Sequence, residues 1–331
     1  MSQAFTVHDV ARLAGVSAMT VSRALNHPER VSPAMRAKVQ EVVRRTGFVP
    51  NGMAGGLRSS RARLVAAVLP TLVGPVFQET IQALNQALDA KGYQLMIGQS
   101  GYDALREDAL LDAIIRRRPD GIVLTGIMHS PAGRRQLLAS GIPVVETWDL
   151  TPTPIDMLVG FSNEDIGASV CAYLHQRGYR RPALLCGDDE RARRRTDGFR
   201  RMGRTLGLEA DLPTYLAPAP TTLGSGRAGL AQLLNHPAGI DSVFCSSDML
   251  ALGVLIEAQT RGLAVPQQLA IVGLGDMEFA ASLQPALTTV RIDGTRIGQT
   301  AAQYIVDRAD GRTVAQPIVD IGFSIVERAT A

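Results

Sequence analysis

Arg195, in Arg195-Thr196-Asp197-Gly198-Phe199, is well suited to hold a charged small molecule. A planar guanidinium meets a carboxylate through two parallel hydrogen bonds. Residues that could complete such a site recur at the ends of short apolar runs. Thr71 follows Leu64-Val65-Ala66-Ala67-Val68-Leu69, and Phe77 opens the helical pattern after it. Glu146 ends the run 142–147, Ser247 and Asp248 follow Val243-Phe244-Cys245, and Gly275 and Asp276 follow Ile271-Val272-Gly273. His129 lies in a loop between two such elements. Plainer readings stand beside these: Phe77 as core, His129 as surface, Asp248 as a helix cap, and most of Arg191, Arg193, Arg194 and Arg195 as solvated.

Covalent and metal chemistry find little support. Gly224-Ser225-Gly226-Arg227-Ala228-Gly229 spells G-x-G-x-x-G, but Pro218-Ala219-Pro220-Thr221-Thr222 precedes it, so the strand context of a dinucleotide site fails. No phosphate-binding P-loop, H-E-x-x-H or G-x-S-x-G is present. The five histidines are dispersed, so neither a metal nor any other cofactor is expected. Cys171, Cys186 and Cys245 form neither a disulfide framework nor a C-x-x-C pair.

A second kind of chemistry sits at the N-terminus. Residues 1–62 hold nine Lys/Arg against three Asp/Glu, a net +6, whereas the whole 331-residue chain is only +3. A basic head on a mildly acidic body points to a polyanionic partner. Thr6 can cap a first helix with Asp9 three residues on, and Gly15 permits a left-handed turn. Ser17 then caps a second helix, Ala18 to Leu25. Ser32-Pro33 starts a third, which Gly47 stops. Helix, glycine turn, helix and packing helix is the helix-turn-helix plan. Its second helix enters the major groove, which brings Ser17, Ala18, Met19 and Thr20, then Ser22 and Arg23, to the DNA. Ala18 and Met19 suit thymine methyl groups, and Arg23 suits guanine or phosphate. A small helical protein-binding domain is the alternative.

From Leu64 onward, short apolar runs alternate with helical patterns. Strands are expected at 64–69, 93–98, 120–125 and 142–147, then at 182–186, 213–216, 242–246 and 268–273, and near 317–327. Helices are expected at 76–91, 103–118, 131–140, 164–177, 191–206, 226–235, 248–261 and 294–309. Such alternation implies parallel sheets covered on both faces. Two series imply two lobes, with a ligand cleft beyond the carboxyl ends of the strands. The expected fold is an all-α helix-turn-helix head on an α/β body of two doubly wound lobes.

Composition narrows the class. With 46% hydrophobic and 20% charged residues the chain can build sizeable cores, which excludes a long disordered protein. No run of about 18 uncharged apolar residues exists, so no membrane span is expected. The N-terminus lacks the basic and apolar regions of an export signal, and a cytoplasmic location is expected.

Thr6-Val7-His8-Asp9-Val10-Ala11, Ala14-Gly15-Val16-Ser17, Thr20-Val21-Ser22-Arg23, Asn26, Val31-Ser32 and Gly47-Phe48-Val49-Pro50-Asn51 resemble the head of LacI-type transcription regulators. The resemblance implies a helix-turn-helix domain at 1–49, a hinge at 50–62 and a periplasmic-binding-protein-like effector and dimerisation body at 63–331. Its lobes would be about 63–161 with 291–331, and 162–290. It adds Thr6, Asn26, Asn51, Ala54 and Leu57 to the DNA contacts, with Leu57 as a minor-groove wedge. The hinge departs from the family pattern by carrying three glycines.

In family members that bind neutral sugars, the positions of Glu146, Arg195, Ser247 and Gly275 typically hold Asp, Arg, Asn and Asp. Losing a carboxylate at Gly275 favours an acidic sugar. Leu124-Thr125-Gly126-Ile127-Met128-His129-Ser130, Gly141-Ile142-Pro143-Val144-Val145-Glu146 and Val159-Gly160-Phe161 resemble the gluconate-repressor subgroup. The resemblance therefore implies a homodimeric repressor on double-stranded operator DNA, released by a gluconate-like sugar acid. Alternatives are a sugar-binding receptor, a sugar-processing enzyme, or a corepressor-dependent regulator sensing a neutral or phosphorylated sugar.

Overall fold

The structure, a computed structural model, describes residues 5–48, 61–72, 77–127, 130–208 and 211–331, without the side chains of Asn26 and Ala104. The chain divides into two compact units, 1–62 and 63–331.

The first unit holds α1 (Val7–Ala14), α2 (Ala18–Asn26) and α3 (Pro33–Thr46). Thr6 and Asp9 form a reciprocal capping box on α1, and Gly15 ends that helix at φ 62°. Ser17 and Ser32 accept the N–H of Thr20 and Met35 at the starts of α2 and α3. Val10, Ala11, Ala14, Val21, Ala24, Val39 and Val42 form one buried cluster among the three helices.

The second unit runs β1 (Leu64–Leu69), α4 (Gln78–Asp89), β2 (Gln94–Gln99), α5 (Ala104–Ile115), β3 (Gly121–Thr125), α6 (Pro131–Ser140), β4 (Val144–Thr147) and β5 (Met157–Gly160). It continues with α7 (Asn163–Gln176), β6 (Pro182–Gly187), α8 (Glu190–Thr205), β7 (Thr214–Ala217), α9 (Leu223–Leu233), β8 (Ser242–Cys245), α10 (Asp248–Thr260), β9 (Ala270–Leu274) and β10 (Thr288–Arg291). It closes with α11 (Gly294–Ala309), β11 (Ile318–Asp320) and β12 (Ser324–Val326).

The first sheet has the order β2-β1-β3-β4-β5-β11 and is wholly parallel. The second has the order β7-β6-β8-β9-β10-β12, parallel except for the last pair. Both lobes thus repeat one winding, with a change of direction between β1 and β3 and between β6 and β8. Crevices beyond the strand ends at such points hold ligands. The central strands β1, β4, β6, β8 and β9 are almost wholly buried, as helices on both faces require.

One lobe boundary differs from the expectation. The segment 291–331 does not stay with the first lobe: β11 pairs with β5 there, but β12 crosses back and pairs antiparallel with β10. The chain therefore passes between the lobes three times, near 161–162, 292–293 and 321–323.

Candidate functional site

In the head, α2 turns Val21 and Ala24 into the core. Helical phase then leaves Ser17, Met19, Ser22 and Arg23 exposed and Ala18 and Thr20 half-buried. Met19 is 63% exposed, although an apolar side chain normally seeks cover. The Ser17 hydroxyl lies 2.9 Å from that of Thr20, so both are fixed at the start of the helix. The exposed Thr6 hydroxyl donates to Asp9 Oδ2 at 2.7 Å. Hydrogen bonds from Thr6, more than the Arg12 charge, hold the Asp9 carboxyl below its usual range. The Asn26 side chain and Asn51, Ala54 and Leu57 lie outside the described residues, as does His129.

In the body, a small cleft, partly open to solvent, lies between the lobes. Its lining comes from segments that follow strands: Thr71 and Phe77 after β1, Tyr102 after β2, Trp148 after β4, Asp189 after β6, Thr221 after β7, and Ser246 and Ser247 after β8. Arg191 and Arg195 enter it from α8.

The aromatic wall is built around Trp148. Its ring meets Phe77 edge-on at 4.9 Å and Phe161 edge-on at 5.6 Å. Its indole N–H donates to the Thr80 hydroxyl at 3.2 Å. The backbone at Trp148 has φ 67°, a strained value for a bulky residue, and the Asn163 amide donates to its carbonyl at 3.2 Å.

The same Asn163 accepts a hydrogen bond from Arg195 Nη1, while Arg195 Nε, buried, has no partner among the described residues. Burial pulls the Arg195 guanidinium below its ordinary pKa, with Asp189 opposing that shift. Asp189 caps α8 by accepting from Ala192 N–H at 3.1 Å. Arg191 Nε lies 3.8 Å from Asp189 Oδ1, and the Arg191 guanidinium carbon is 5.0 Å from the centre of the Phe77 ring. Ser247 caps α10 and lies 3.5 Å from the Thr221 hydroxyl.

Thr71, Phe77, Arg195 and Ser247 therefore line one cleft as expected from the sequence. Glu146, Asp248, Gly275 and Asp276 do not, and they need correcting. The Glu146 carboxylate is buried and accepts from Ile155 N–H at 2.6 Å. Asp248 is buried behind the cleft, accepting from Met277 N–H at 2.8 Å and from the Thr289 hydroxyl at 2.5 Å. Asp276 is ion-paired with Arg291 and with Arg328, the latter at 2.6 Å. Gly275, at φ 130°, donates its N–H to the Val290 carbonyl.

Tyr102, Trp148, Asp189, Arg191 and Thr221 are cleft residues that the sequence reading passed over. For Arg191 a signal existed, since it stands four residues before Arg195 and so on the same helix face. The three cysteines are free and buried, and no metal-binding cluster occurs among the described residues. No helix of the described residues is long and apolar enough to cross a membrane.

Residues 6–51 match the family of bacterial regulatory proteins described as the lacI family, and residues 171–331 match the periplasmic binding protein-like domain. The HTH-type transcriptional regulator GntR of Pseudomonas aeruginosa is 34% identical over 324 residues, spanning 98% of this chain and 94% of that protein. A LacI family transcriptional regulator from Silicibacter pomeroyi has a similar structure, with TM-score 0.92 and 32% identity over 98% of this chain and 99% of that one. The transcription regulator GntR from Chromobacterium violaceum superposes with TM-score 0.77 at 37% identity, over 81% and 98% of the two chains.

Proposed function

The chain belongs to the LacI family of DNA-binding transcription regulators, and on that premise we propose a cytoplasmic homodimer that represses sugar-acid catabolism genes until a gluconate-like acid releases it from operator DNA. Residues 1–49 read DNA, 50–62 act as the hinge, and 63–331 bind the effector and pair the subunits. Ser17, Ala18, Met19, Thr20, Ser22 and Arg23 face the major groove, supported by the exposed side of α2. Thr6 at the start of α1 and Asn26 at the end of α2 add contacts, and Asn51, Ala54 and Leu57 contact the minor-groove side of the hinge site. Two heads on a near-palindromic operator need a second copy of the chain. The face formed by Leu72, Ile81, Leu95 and Ile97 suits that copy, because Leu72 is 59% and Ile97 43% exposed beside the edge strand β2.

Arg195 carries the effector reading. It is buried in the cleft, its hydrogen bond goes to neutral Asn163, and hydroxyls of Thr71, Thr221, Ser246 and Ser247 surround the same space. Hydroxyl-rich walls suit a polyol, the Phe77 and Trp148 rings suit its C–H faces, and a buried guanidinium suits a carboxylate. The stretches of the sequence that resemble the gluconate-repressor subgroup support the same reading. Calorimetry with a panel of sugar acids, their phosphates and neutral sugars tests it. A sugar acid should bind at least about tenfold more tightly than glucose, and Arg195→Ala should remove that binding. Tighter binding of glucose than of any sugar acid overturns the reading.

A further inference from the structure

Four arginines crowd positions 191–195 of α8, and helical phase gives them different tasks. Arg193 is 60% exposed and pairs with Asp188 at 2.8 Å. Arg194 pairs with Asp149 at 3.4 Å and Glu190 at 3.5 Å. Arg191 and Arg195, one turn apart, both face the cleft. Each keeps a buried N–H without a partner among the described residues: Nη1 of Arg191 and Nε of Arg195.

Asp189 is the one carboxylate that lines this cleft among the described residues. Its Oδ1 accepts from the first turn of α8 and stays 3.8 Å from Arg191, beyond hydrogen-bond reach. Asp149 acts on Arg195 and Glu107 on Arg191 through charge as well, but neither lines the cleft, so within it the two cations face one committed anion, in a place where unmade hydrogen bonds are costly. Arg191 also crosses the cleft. It rises from the second lobe, yet its guanidinium lies over Phe77 of the first.

We propose that the anionic group of the effector bridges Arg191 and Arg195, which makes Arg191 the residue that selects acids over neutral sugars. The polyol portion of the ligand rests on the effector reading above, whereas the bridged anion rests on the two arginines alone. Because Arg191 touches both lobes, an anion held there also ties ligand charge to the closed cleft.

Trp148 is the sole tryptophan of the chain and lines the same cleft, so its emission reports occupancy. The experiment titrates the full-length protein with gluconate and with glucose 6-phosphate, for the wild type, Arg191→Met and Arg191→Lys. Methionine keeps an unbranched stem against Phe77 and removes the charge. Loss of one charge-assisted contact should weaken gluconate binding about 10- to 100-fold in Arg191→Met. Arg191→Lys should recover part of the loss, because an ammonium keeps the charge but not the fork. The unliganded melting midpoint of Arg191→Met should stay level or rise, since one of two like charges is gone. Unchanged gluconate affinity, or a loss matched by a lower melting midpoint, overturns the proposal. A wild type that answers only glucose 6-phosphate, with the answer lost in Arg191→Met, overturns the sugar-acid reading and upholds the bridge. A wild type that answers neither anion overturns both.

Discussion

Asp248 is a carboxylate buried at the first turn of α10, and burial pushes its pKa up from 3.8 to about 6, against the opposing hydrogen bonds from Thr289 and Met277. A raised folded-state pKa means that the folded protein holds the proton more tightly than the unfolded chain. Body stability therefore falls as pH rises from about 4 through about 6, and this group costs nothing further above that. Asp248→Asn removes the slope while its amide still accepts from Met277 N–H. Relative to the wild type, the variant should gain stability between pH 4.5 and 7.5, by about 2 kcal/mol. Denaturant midpoints at the two pH values check this, and an unchanged difference would show that Asp248 titrates normally. In the head, Arg23→Ala should abolish specific operator binding in a gel shift at fixed salt, because phosphate contacts make any affinity salt-dependent. Retained affinity would remove α2 from the groove. Residues like Asp248 show where side-chain reading stops. The ends of β4, β8 and β9 were legible, but strands buried on both faces carry no polar alternation to say which way Glu146 points. Arg191 was hidden by its arginine neighbours, although its spacing from Arg195 singles it out.

Helix spacing sets the precision of the cleft. A Cβ on Gly198 of α8 would lie 1.9 Å from the Glu164 carbonyl oxygen of α7, and one on Gly167 would lie 1.8 Å from the Arg195 carbonyl oxygen. These glycines let α7 and α8 touch backbone to backbone, which brings Asn163 under Arg195. Gly198→Ala forces the helices apart. It should cost roughly 1–3 kcal/mol in urea unfolding and weaken effector binding as well. Wild-type stability and affinity would mean that the helices give way without moving the site. The G-x-G-x-x-G run has the same explanation. It lies within α9, where a Cβ on Gly226 would lie 2.3 Å from the Leu250 carbonyl oxygen of α10. Gly226 serves helix packing and Gly229 the approach of α9 to Leu185 and Tyr215 of the sheet, so the failed strand context was informative. Most elements were legible from apolar runs, but β5 and β10 were not. β5 follows β4 with no α-helix between them and so breaks the strand–helix alternation, and β10 buries Thr288 and Thr289, which read as polar. The crossing of β12 into the second sheet was likewise invisible, because local pattern does not fix which sheet a short terminal strand joins.

At the scale of the whole molecule, the basic head and the two-lobed body were legible because charge and period change together near residue 62. Coupling between them was not, because it depends on how a ligand redistributes body conformations. An effector alters DNA affinity only through its different affinity for those conformations. A gluconate-like acid that bridges the lobes favours the closed body, and release from DNA follows if the closed body holds its two hinges out of register. By the same linkage, operator DNA must weaken effector binding by the same factor. The most direct measurement is fluorescence anisotropy on a labelled operator, selected from a random duplex pool and held at one salt concentration, during titration with gluconate and then with glucose. Gluconate should raise the apparent Kd for the operator by about 5- to 150-fold, and glucose should leave it unchanged. If gluconate instead tightens operator binding, or changes it no more than glucose does, the protein is not an acid-released repressor.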